Sequence, residues 1–238
     1  MSRRANKKKG SRKKAEAETF GTVWSFGFFL ATLSNYLLCP VVFILLLVSP
    51  VRERYFDEVI IAYCFGLFSA GLLVSTSKIR KLRTIIHEIK HAIMVLLTGN
   101  KVKSIKADKY EGHVEYKLYQ NRAHLAPLIK LAPYFFPLFS LPMLGMAVLF
   151  DSYVAVICSL GLGAALAADI CFGIEEIHPF QTDFKKLLGG IFISKAYLVG
   201  FYLLWPSVIT LWVRSGGDGI FRGAAFVGKI ILLRFGLV

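Results

Sequence analysis

The sequence predicts an all-α polytopic membrane protein with five to six membrane helices and one short β-hairpin set among them. Three observations point there. Hydrophobic residues make up 55% of the 238, mean hydropathy is +0.58, and the apolar residues fall into five separate runs. One soluble core in a chain of this length cannot hide that much apolar surface.

The elements follow in order. Residues 1–19 hold Arg3, Arg4, Lys7, Lys8, Lys9, Arg12, Lys13 and Lys14, a large part of the net charge of +14. This segment is predicted to be a disordered tail that keeps the N-terminus in the cytoplasm. Each such cation is worth about 1 kcal/mol near an anionic surface, so anionic lipid is a partner the tail can grip. The tail lacks interleaved aromatics and leads directly into an apolar run, which argues against nucleic acid.

Residues 20–50 contain no Asp, Glu, Lys or Arg, whereas a helix crosses a bilayer with about 20 apolar residues. They predict one tilted or Pro40-kinked span. A secretory signal has a shorter core of roughly 7 to 15 apolar residues and a small-residue cleavage site, so the segment is expected to stay. Further uncharged runs at 59–77, 131–150, 152–168 and 196–213 predict more spans. The last 20 residues carry only Arg222, Lys229 and Arg234 on an apolar background, the pattern of a helix at the membrane interface. In LAPYFFPLFSLP, residues 131–142, Pro133, Pro137 and Pro142 each remove a helical hydrogen bond and predict a kinked or broken span. Cys39, Cys64, Cys158 and Cys171 show no CxxC spacing and read as small residues of apolar segments.

Between the second and third runs the chain turns polar. A helix over roughly 79–98 begins in the basic run KIRKLR, residues 78–83, and stops at Gly99, a C-cap residue. Its stretch TIIHEIKHAIMVLLTG, residues 84–99, contains His87, Glu88 and His91 as HExxH. Positions i and i+4 share a helix face, so both imidazoles aim at one point, as zinc requires. With five His and nine Glu in the chain, chance supplies about 0.004 such matches. Ionisable groups at membrane depth also need a strong compensating partner. Glu88, one residue off that face, is placed for a general base rather than a ligand.

NKVKSIKADKYEGHVEYKLYQN, residues 100–121, has two alternating runs, VKSIK and HVEYKLY, joined through Asp108 and Gly112. That pattern predicts a β-hairpin. Zinc needs at least one more protein ligand and an open position for water. Met94 stands where a metzincin helix would carry Gly, so the third ligand comes from elsewhere. Candidates cluster in ADICFGIEEIHPFQTDFKKLLGG, residues 168–190: Asp183, Asp169, His178, Glu175 and Glu176.

The HExxH helix, the hairpin after it and an acidic residue on a later segment together resemble the site-2-protease type of intramembrane zinc metalloproteases, over roughly residues 80–200. The resemblance implies a membrane-embedded domain over 20–238 with its core at 78–213. It implies Zn2+ held by His87, His91 and Asp183, and Glu88 as the catalytic base. Asp183 is favoured because it opens a helix and precedes a Gly pair, although HPFQTD leads into it and Gly189 and Gly190 follow only six residues later. Asp169, near the end of an apolar span, and His178, before Pro179, remain alternatives. The hairpin would lie beside the site and align an extended substrate by adding a strand.

The function expected on these grounds is hydrolysis of peptide bonds in or near transmembrane segments of membrane-protein substrates, in a multi-pass protein of the inner or plasma membrane. A catalytically silent membrane scaffold and a metal-binding transporter are the alternatives. The charges also pose a conflict. If the HExxH helix crosses the bilayer, KIRKLR and Lys101, Lys103, Lys106 and Lys109 fall on opposite sides. Either one cluster breaks the positive-inside rule or the helix and hairpin re-enter without crossing.

Overall fold

A computed structural model describes residues 40–44, 56–77, 79–108, 112–150, 154–177, 182–185, 187 and 190–234. The expectations for the tail 1–19, for most of the 20–50 span, for Cys39 and for His178 lie outside the described residues. Within them the chain is mostly helical with one two-stranded sheet. The order is α1 Phe56–Thr76, α2 Arg80–Leu97, β1 Lys101–Ala107, β2 Gly112–Lys117, a 3-10 turn Gln120–Leu125, α3 Ala126–Phe135, α4 Ser140–Leu149, α5 Ala155–Glu175, α6 Thr182–Lys185 and α7 Gly190–Arg234.

Three helical stretches are long and apolar enough to cross a membrane: Glu58–Thr76, Ala155–Glu175 and Phe192–Ile230. The pair α3 and α4, bent by 75°, makes a fourth if counted as one span. Five to six spans are therefore not found among the described residues. One predicted span lies mostly outside them. The helix α2 carries Arg80, Lys81, Arg83, Glu88 and Lys90 and is too polar to count. Within α7 a non-helical Gly216 (φ 70, ψ −165) breaks the helix and its C-terminal part turns back, so that Gly223 and Val227 lie against Leu211.

The helices α1 and α5 run parallel and touch closely. Ser159 Oγ donates to the Val59 carbonyl at 2.6 Å. A Cβ on Gly66 would overlap the Leu160 carbonyl, and one on Gly163 the Tyr63 carbonyl. Small residues that let backbones approach are the usual glue between helices in lipid, where no hydrophobic force draws them together. Leu144, Ala147, Leu162, Leu166, Ile209 and Trp212 complete this core.

On its other side α5 meets α2, which runs antiparallel to it: Arg83 pairs with Glu175, His87 stands beside Glu176, and Lys90 pairs with Asp169. Thr98 is the C-cap of α2, one residue before the expected Gly99, which makes the left-handed turn at φ 69, with the Asn100 amide returning to the Val95 carbonyl. The hairpin then doubles back along α2. Its strands are antiparallel, with Val102 opposite Tyr116, Ile105 opposite Val114 and Ala107 opposite Gly112, and an irregularity between Val102 and Ser104. Val102 and Tyr116 pack onto Met94, Val95 and Ile129, while Lys101, Lys103, Lys106 and Lys117 are exposed.

The proline-rich run is broken, as its sequence predicts. Pro133 lies inside α3 and the chain turns through residues 136–139 before α4. Asp169 Oδ2 satisfies the donors freed at the break, accepting from the amides of Phe139 (3.1 Å) and Ser140 (2.8 Å) and from Ser140 Oγ (2.7 Å). Such compensation lets irregular backbone persist among apolar helices.

Candidate metal centre

One turn of α2 separates His87 from His91, and the two rings lie 5.0 Å apart. Each presents Nε2 to the same atom, Asp183 Oδ2, at 3.6 Å. That is too long for a hydrogen bond. It does fit a shared ion, because two ligands bound to zinc at about 2.0–2.1 Å in tetrahedral geometry stand about 3.3 Å apart. Ligand atoms of all three residues lie within 4.8 Å of one another, and this trio is the group of His, Cys, Asp and Glu among the described residues that could hold a metal ion.

The groups behind the trio fix its orientation. His91 Nδ1 is 2.7 Å from the Ile129 carbonyl. A carbonyl only accepts, so Nδ1 carries the hydrogen and the Nε2 lone pair faces the cluster. His87 Nδ1 is buried with no hydrogen-bond partner among the described residues, and the Glu176 carboxylate stands 3.5 Å from it. The Tyr134 hydroxyl donates to Asp183 Oδ2 at 3.1 Å, and its ring meets His87 edge-on at 5.7 Å. Tyr134 is itself fully buried, and its carbonyl accepts from the Tyr202 hydroxyl. Asp183 opens the four-residue α6. The next residue, Phe184, packs its ring 4.8 Å from that of Tyr134 and anchors this short helix in the core with Leu198.

Asp183 and Glu88 sit in different electrostatic settings. Burial pushes its carboxyl upward, but the close imidazoles of His87 and His91 outweigh that and hold it well below the usual carboxylate range. Glu88 behaves differently. It is 5% exposed, and burial raises its pKa more than His91 and His87 lower it. It is not one of the trio. Its carboxylate lies against the backbone of Gly112, where even a methyl group would overlap it. The first residue of β2 is thus packed onto the residue expected to act as base.

The other candidates are placed elsewhere. Asp169 faces Lys90 at 3.4 Å and holds the amides at the α3–α4 break. Glu175 pairs with Arg83. Glu176 stands nearer the outer nitrogen of His87 than the cluster. Sequence reading missed Tyr134, which lay in a run noted only for its prolines, and Lys90, which passed as an unassigned position inside HExxH. A cation between two candidate ligands and an acid in an apolar span were the available signal, because such charges pair. Comparison of the chain with protein-family models, with curated proteins and with solved structures finds no match.

Proposed function

We propose that this chain is a membrane-embedded zinc metallopeptidase that hydrolyses peptide bonds in or near transmembrane segments of other membrane proteins. The observation that carries the reading is the convergence of His87, His91 and Asp183 from α2 and α6, with Glu88 beside them and outside the ligand set. Two imidazoles and one carboxylate are the donor set of a catalytic zinc with a position left for water, and zinc so held polarises a carbonyl and brings bound water toward a pKa of about 7.

The protein's own groups do the rest. Glu88, raised by burial, takes the proton of the attacking water and returns it to the leaving amine. Tyr134 holds Asp183 by its hydroxyl, and the Ile129 carbonyl holds the ring of His91, so the donors need little rearrangement. The hairpin supplies substrate alignment. A peptide paired along one of its edges passes Gly112, which lies against Glu88. Such a substrate must be locally unwound, because a helix hides its carbonyls in its own hydrogen bonds.

A transporter or an inert scaffold has no need of a buried carboxylate beside, but outside, its ligand set. The test is metal content and cleavage of a reconstituted membrane substrate by wild type and Glu88→Ala. We expect one zinc per chain in both and cleavage in wild type only. An active Glu88→Ala protein excludes the mechanism, and metal flux into vesicles without proteolysis favours transport.

A further inference from the structure

We infer that Lys90 is a positioning residue for the metal centre, locking the roll of α2 by its ion pair with Asp169; the inference rests on the metal reading above. Lys90 lies three residues after one candidate ligand and one before the other, which puts it on the flank of their face opposite to Glu88. It is 1% exposed, and its ammonium has Asp169 as an ion-pair partner at 3.4 Å. Asp169 is itself immobilised. It accepts from two backbone amides and from Ser140 Oγ, and Trp205 Nε1 on α7 donates to that same hydroxyl at 2.8 Å. The anchor therefore ties the HExxH helix to α4, α5 and α7 at once.

The geometry says why such an anchor matters here. Side-chain tips stand about 6 Å from a helix axis, so a roll of 10° displaces a ring nitrogen by about 1 Å. A metal site tolerates about 0.5 Å. The apolar contacts of α2 resist separation better than rotation, whereas a directed pair to a fixed carboxylate opposes rotation directly. The pair sits deeper along the seam than Arg83 and Glu175 and holds the helix between the two candidate ligands.

The test uses the full chain in detergent, with wild type, Lys90→Met and the double variant Lys90→Met/Asp169→Asn. The double variant leaves no unpaired charge and keeps an acceptor for the amides of residues 139 and 140, so it decides the matter if the single variant fails to fold. Zinc affinity is measured by chelator competition, and the visible spectrum of the Co2+-substituted protein reports ligand geometry. We expect zinc to bind about 10- to 100-fold more weakly and the cobalt bands to shift, with the helical circular dichroism of the metal-free protein unchanged. Wild-type affinity and spectrum in the double variant overturn the inference. Loss of the metal-free helical signal in the double variant also overturns it, assigning the pair to folding instead. A wild-type protein that takes up neither zinc nor cobalt defeats the metal reading itself, a distinguishable result.

Discussion

Against α1, α5 presents Ser159, Gly163 and Ala167, and the two backbones nearly touch; against α2 it presents Asp169, Glu175 and Glu176, facing Lys90, Arg83 and His87. One helix thus makes two seams of opposite kind. The first depends mainly on size, with one hydrogen bond from Ser159 to the Val59 carbonyl, because dispersion between close surfaces holds helices together in lipid. The second depends on the identity of each group and leaves α2 polar enough to bear the candidate metal centre. Scaffold and chemistry occupy separate faces of α5, so each can be broken without the other.

Asp183→Ala strikes the chemistry hardest. Zinc sites with four ligands are worth about 10–16 kcal/mol, so loss of one ligand removes about 3 kcal/mol, a roughly hundredfold or greater fall in zinc affinity, while metal-free thermal unfolding stays as in wild type. Competition titration beside a melting curve checks both halves. Gly112→Val is next. The new side chain displaces Glu88 and lowers cleavage about 100-fold with zinc content retained, and Val suits a strand well enough to keep the hairpin. Cleavage assayed alongside elemental analysis separates this from a folding defect.

Gly163→Leu attacks the other seam. Pushing a side chain into the Tyr63 carbonyl destabilises the fold by about 2 kcal/mol, and zinc bound per folded molecule is unchanged. Denaturation in mixed detergent measures the first quantity. The smallest effect is expected for Tyr134→Phe, which keeps the ring against His87 and Phe184 but frees Asp183 of its hydrogen bond, weakening zinc about tenfold. An unaltered titration would show that Asp183 needs no such support.

Much of this was legible in the chain. HExxH spacing fixes two side chains within one helical turn, alternation and Gly112 mark the hairpin, and three prolines mark the break. All are short-range patterns, set by 3.6-residue and two-residue periods. Asp183 came by resemblance, and its place beside His87 and His91 depends on Phe184 pinning a four-residue helix, which no local pattern encodes. Asp169 read as a rival ligand because an acid at the end of an apolar span announces that it has a partner without saying which. The partner lay about 80 residues away inside the motif itself. Tyr134 carries no signature at all, since aromatic residues in apolar runs are ordinary and only the folded chain shows where its hydroxyl ends.

The parallel packing of α1 and α5 decides a question of parity. If two parallel helices cross the same bilayer, the chain between them, residues 77–154, must traverse it an odd number of times. If the bent pair α3 and α4 counts as one span rather than a re-entrant loop, it supplies one traverse, α2 and the hairpin together contribute an even number, and with α2 too polar to span that number is zero. On that count KIRKLR and the hairpin lysines would emerge on one side of the membrane, in accord with the positive-inside rule. Cysteines introduced at Lys81 and Lys103 should react with an impermeant reagent from the same side.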